Sequence, residues 1–134
     1  MAGTLTISTL SDGTNSTSAT NCIQGSAKAW VNFDGTLSSP ITARASYNVT
    51  DVTKTATGQY TVNFTTAMPN ANYCAVVTTR RSTSKDAQGL ASLGPANSTG
   101  TDLPMAVGSV NVATGVASSG AFTDFDFVCV TIFR

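Results

Sequence analysis

The chain reads as an all-β domain, an antiparallel β-sandwich of the jelly-roll kind, and three observations predict it. β-Branched residues and period-two alternation recur along most of the sequence, while helical periodicity is hard to find. Thr (23) and Ser (15) fill 38 of 134 positions, a composition suited to the outward side of a pleated sheet. All seven acidic residues are Asp, so helices lack the Glu that usually completes a capping box or an i,i+4 ion pair.

Taken in order, a short Thr-rich strand is expected from Thr4 to Leu10, followed by the polar loop SDGTNSTSATN. A strand through Ala27, Trp30 and Phe33 comes next, closed by the turn pair Asp34-Gly35, where Gly accepts a positive φ and Asp tolerates it. Pro40 opens the following strand, because a proline is tolerated at a strand's first residue. Over 41–51 the set Ile41, Ala43, Ala45, Tyr47 and Val49 falls on one face and Thr42, Arg44, Ser46, Asn48 and Thr50 on the other. A TATG turn at 55–58 then leads into Gln59 to Thr66, with Tyr60, Val62 and Phe64 inward, which makes a hairpin. Met68-Pro69-Asn70 breaks that strand, and another runs from Ala71 to Arg81 with Tyr73, Ala75 and Val77 on one side. Residues 82–104 lose the pattern and read as the longest loop, with Leu90, Leu93 and Leu103 as isolated anchors. Strands resume at 105–112 and 115–123, joined at Ala113-Thr114.

The last strand, 125–133, is apolar on both faces: Phe125, Phe127, Cys129 and Phe133 on one, Val128, Val130 and Ile132 on the other. Such a strand is either central to a sandwich or covered by another subunit; its place at the end of the sequence favours the second. Phe127, Val128, Val130, Ile132 and Phe133 are therefore the expected oligomer interface. Residues 1–20 read as an extended arm or edge strand and 21–134 as one β-sandwich domain.

The same composition excludes several chemistries. No His is present, so Ser-His-Asp and Cys-His relays and His-ligated zinc cannot be built, and no enzyme is expected. Seven cations balance seven acids, and the longest basic run is Arg80-Arg81, which leaves no footprint for nucleic acid or anionic lipid. No apolar run has the length of a signal peptide or membrane span, so neither export nor membrane insertion is expected. Four Asn-x-Ser/Thr triplets (Asn15, Asn48, Asn63, Asn97) are what a Thr- and Ser-rich chain produces by chance. Cys22, Cys74 and Cys129 lie more than fifty residues apart, which speaks against a metal knuckle and reads as three buried small hydrophobes.

Two constellations come nearest to chemistry. Asp124 and Asp126, two apart on a strand, would share one face, the minimum arrangement for paired acid and base, although a polar flank to Phe125 and Phe127 is the simpler account. The other Asp residues are scattered with no calcium-loop spacing, and no nucleotide or hydrolase motif occurs, so neither metal nor cofactor is expected. Trp30, Tyr47, Tyr60 and Tyr73 would suit a sugar-stacking platform, but all four occupy inward-compatible positions and are expected in the core.

The blocks AKAWVNFDGT, ITARASYNV and TGQYTVNFTTAMPNANYCAVV, with the terminal CVTIFR, resemble a module that recurs in virion proteins of tailed bacteriophages, both small stand-alone structural proteins and fibre ends. The likeness spans 27–77 and the last six residues; GTLSSP departs from the Gly-rich turn of that module, and 82–124 lie outside the likeness. It implies no catalytic residue. It implies a symmetric virion component, a homotrimer, whose leading role is capsid decoration, a cement protein on the head surface bracing the major capsid protein. In that role Thr4, Leu5, Ile7 and Leu10 form the capsid-contacting arm, and the loop with Lys85, Asp86, Gln88 and Asn97 faces solvent. The alternative is the receptor-binding knob of a tail or head fibre, reading a host surface glycan through that loop; a free carbohydrate-binding module is a third.

Overall fold

The computed structural model describes residues 3–80, 89–94 and 104–134, and among them the chain is mostly antiparallel strand. The N-terminal part is not the single strand expected over 4–10. Instead β1 (Thr9–Ser11) and β2 (Ser16–Ser18) form a small hairpin, and α1 (Ala19–Gly25) follows directly. Its turn is built from short polar side chains. The Asp12 carboxylate accepts the backbone N–H groups of Thr14 (2.9 Å) and Asn15 (2.7 Å), and Gly13 takes φ +94°. The helix starts where the Ser18 hydroxyl accepts the Asn21 N–H at 3.1 Å.

Beyond the helix come β3 (Ala27–Phe33), β4 (Ala45–Tyr47), β5 (Val49–Ala56), β6 (Gln59–Phe64) and β7 (Cys74–Arg80). They are followed by β8 (Gly89–Leu93), β9 (Met105–Ala106), β10 (Ser109–Val116) and β11 (Phe127–Phe133). One sheet has the order β4-β3-β11-β7; the other has β5-β6-β10-β8, with β9 also on β10. A single hydrophobic cluster draws on both. Ala29, Val31 and Phe33 of β3 and Val128, Val130 and Ile132 of β11 meet Tyr60, Val62 and Phe64 of β6 and Val110 and Val112 of β10. Phe33 meets Tyr60 edge to face with ring centroids 5.1 Å apart, and Phe64 meets Tyr73 likewise at 5.9 Å.

Several expected boundaries move. The run 41–51 is not one strand. It breaks at Asn48, the one described non-glycine residue at positive φ (54°): β4 pairs with β3, and β5 turns into the other sheet to pair with β6. Ile41 makes an isolated bridge to Val52. Ala113-Thr114 is no turn, because both side chains are buried and β10 runs straight through them; the chain reverses instead at 107–108. Part of the expected long loop, 89–93, is strand β8 on the edge of the second sheet. The expected stretch 125–133 begins as a strand only at Phe127.

β11 lies between β3 and β7 in the sheet, and so holds the central position rather than an edge. Val128, Val130 and Ile132 are at most 1 % exposed in the single chain. They have no surface left for a partner subunit, which corrects their place in the expected interface. The arm boundary expected at residue 20 falls inside α1, and the first core residue is Ala29.

Candidate functional site

Among the described residues the N-terminal arm, the outer face of the β3-β11 sheet and a cleft at one end of that face have chemical character. In the arm the expected contact residues Thr4, Leu5, Ile7 and Leu10 are all exposed, Leu5 to 81 %. No residue of α1 is buried, and Ile23 on it is also exposed. The arm is thus held by its own hydrogen bonds and displays its apolar side chains.

Alternation places Trp30, Asn32, Phe127, Cys129, Thr131 and Phe133 on the outer face of the sheet. Trp30 is in register with Tyr47 of β4 and with Thr131 of β11, which is in turn opposite Val76 of β7. Trp30 and Tyr47 are therefore not core residues as expected; Tyr60 and Tyr73 are. Of the expected interface, Phe127 and Phe133 remain on this outer side, at opposite ends of β11. The Arg44 guanidinium lies 4.5 Å over the Phe127 ring. It donates to the Asp126 carbonyl at 2.6 Å and pairs with Asp34 at 3.1 Å. None of the three cysteines is buried, which corrects that expectation: Cys22 rides on the exposed helix, and Cys74 and Cys129 point outward from β7 and β11.

The cleft, about 500 Å³, lies between β4 and the segment after β6. Lys28, Tyr47, Thr66, Met68 and Arg134 are among its walls, and among the described residues no acidic one lines it. Asn48 fixes the geometry. Its side-chain amide donates to the Lys28 (3.0 Å) and Thr66 (3.1 Å) carbonyls and its oxygen accepts the Thr66 N–H (2.7 Å). Asn tolerates the left-handed backbone that this clip requires. The Lys28 ammonium is also held, donating to the Ile23 carbonyl and to the Ser26 hydroxyl (2.8 Å).

Asp124 occupies a different setting, at the turn joining β5 and β6. Its carboxylate pairs with Lys54 at 2.6 Å and accepts the Gly58 N–H at 2.7 Å. The Tyr60 hydroxyl, 2.9 Å from Asp124 and 3.1 Å from the Gly35 carbonyl, completes the group. Burial raises the pKa of this carboxyl, but Lys54, the Gly58 N–H and Tyr60 together outweigh it and hold Asp124 below the usual carboxylate range. Burial, reinforced by that charge, pushes the Tyr60 phenol up. A carboxylate so held stays ionised and has no proton to lend, which is the opposite of what a general acid needs. Asp124 and Asp126 lie in an irregular segment, not a strand, and it is the Asp126 backbone carbonyl that holds Arg44. Gly35 is dictated by this cluster: a Cβ there would sit 2.8 Å from Tyr60 Cζ and 2.9 Å from the Phe125 carbonyl oxygen. Close approach, rather than the positive φ expected of the Asp-Gly turn, is what requires glycine.

Among the described residues no three metal-ligating side chains come together, and no helix is long and apolar enough to cross a membrane. The expected loop residues Lys85, Asp86, Gln88 and Asn97 lie outside the described residues. The cleft is not legible in the sequence because its walls come from four separate segments, and Asn48, which breaks the strand, falls in step with the polar face of the alternation. No protein-family model, curated protein or solved structure matches the chain.

Proposed function

We propose that the chain is a structural protein of a tailed-bacteriophage virion, a jelly-roll-like β-sandwich that assembles as a homotrimer and decorates the head. The observation that carries this reading is the arm. Leu5 and Ile7 ahead of the hairpin, Leu10 on it and Ile23 on a helix with no buried residue all stand exposed, and apolar side chains displayed on so small a unit call for a partner surface. The partner in this reading is the major capsid protein, with the body of the domain bracing neighbouring capsomers. A surface of hydroxyls and amides with balanced charge fits a role in packing and attachment, and the sequence likeness to phage virion modules points the same way. Of the side chains expected to join the subunits, Phe127, partly exposed, and the half-buried Phe133, at opposite ends of the outer face, are the ones with surface to give.

Location and stoichiometry in purified particles test the reading. Antibody-gold labelling and quantitative gel analysis should find many copies over the head. A few copies at the tail would instead identify the receptor-binding knob, and absence from the particle would overturn both.

A further inference from the structure

We propose that the cleft bounded by Lys28, Tyr47, Asn48, Thr66 and Arg134 binds a sugar residue that bears a carboxylate. The inference is independent of where the domain sits in a particle, since it rests on the cleft alone.

Charge gives the first argument. The chain as a whole is neutral, yet the described residues that line the cleft bring two cationic side chains and no acidic one, so their side-chain field favours an anion. Lys28 has already given two of its three N–H groups, to the Ile23 carbonyl and the Ser26 hydroxyl. The ammonium is thereby fixed in position with one donor to spare, which lowers the ordering cost of receiving a ligand. Arg134 supplies the planar fork that matches a carboxylate in bidentate fashion.

Shape gives the second. Tyr47, which lines the cleft, is 58 % exposed, and its partner across the β3-β4 register is Trp30, so a second aromatic residue adjoins it on the outer face. Flat, amphipathic rings of this kind receive the C–H face of a pyranose and leave its hydroxyls to polar neighbours such as Thr66. The volume of about 500 Å³ suits one or two sugar rings and lies within the range of small-molecule sites.

Stiffness gives the third. Asn48 holds the far wall to β3 with three hydrogen bonds from a left-handed backbone conformation, an arrangement that the fold maintains against its cost. A wall fixed in advance need not be ordered on binding. Nucleic acid fits less well, because the rest of the surface lacks the extended basic track that a polyanion requires.

Trp30 is the only tryptophan of the chain and adjoins the site, so its emission reports occupancy. The purified full chain is titrated with a glucuronate-containing tetrasaccharide and, separately, with a neutral glucose tetrasaccharide, with calorimetry on the same samples to register binding that leaves the emission unchanged. The acidic sugar is expected to bind at least about tenfold more tightly than the neutral one. Tyr47→Ala and Arg134→Ala, both at exposed positions, should each weaken it by about tenfold or more while keeping the wild-type melting temperature. Equal affinity for the two sugars, no binding of the acidic one up to millimolar concentration, or undiminished binding in both variants would each overturn the proposal.

Discussion

Asp124 has one neutralising partner, Lys54, with a phenol donor and a backbone donor in the same small volume, and its side chain and that of Lys54 are less than a quarter exposed. Asp124→Asn keeps the shape but removes the charge that Lys54 and the Gly58 N–H answer, and should cost about 2 kcal/mol at neutral pH. The pH dependence follows from the lowered pKa. Stability from this group is fully present above the ordinary carboxylate value and is lost as pH falls through the lower, folded value. Melting temperatures recorded from about pH 6 down to pH 2 should fall more steeply for the wild type than for the variant, the two curves converging in acid. Parallel curves would show that the carboxylate does not stabilise the fold. At the same scale, Gly35 illustrates a constraint hidden in the sequence. Asp-Gly reads as a turn, and the turn is there, but only the tertiary neighbours Tyr60 and Phe125 reveal why no Cβ fits.

At the scale of elements, Asn48 decides that a run of eleven alternating residues serves two sheets instead of one. Asn48→Gly relieves the left-handed backbone but deletes three side-chain hydrogen bonds; Asn48→Ala loses the bonds and adds strain. Urea denaturation should place Ala below Gly by about 1 kcal/mol, with both below the wild type. What was legible in the sequence follows from the same physics. β3, β6 and β11 are readable because one of their faces is continuously apolar and buried, as with Tyr60, Val62 and Phe64, and β7 because Ala75 and Val77 alternate with exposed neighbours. Periodicity cannot say which of two apolar faces turns inward, so it places Trp30 and Tyr47 in the core, which Ala29, Val31 and Phe33 in fact fill. α1 escaped notice because ATNCIQG buries nothing and so shows no helical stripe; its only mark is the Ser18 cap. β8 escaped because an edge strand with Leu90 exposed carries little alternation.

For the whole molecule, the division between arm and body makes two predictions with opposite outcomes. Every described side chain that a deletion of residues 1–10 removes is exposed, among them Leu5, Ile7 and Leu10. The truncated chain should keep its thermal transition within a degree or two and lose attachment to capsids in co-sedimentation. Retained attachment would locate the contact elsewhere. Val130→Asp places a carboxylate in the centre of the shared core, where Val130 is 1 % exposed, and should cost several kcal/mol, leaving little folded protein by circular dichroism. Soluble, fully folded variant protein would mean that this position is not buried.

The central place of β11 has a kinetic side as well. β3 and β7 are not paired with each other; β11 joins them, and although β3 also pairs with the nearby β4, its β11 partner is roughly 100 positions away. Closure of so large a loop comes before any reward from the pairing, so folding should proceed on the slow side for a domain of this size. Until β11 inserts, β3 and β7 each present an unpaired edge, and at high chain concentration a β11 from a neighbouring molecule can fill the gap first. The yield of correctly formed protein should accordingly fall as refolding concentration rises, through exchange of the last strand between chains.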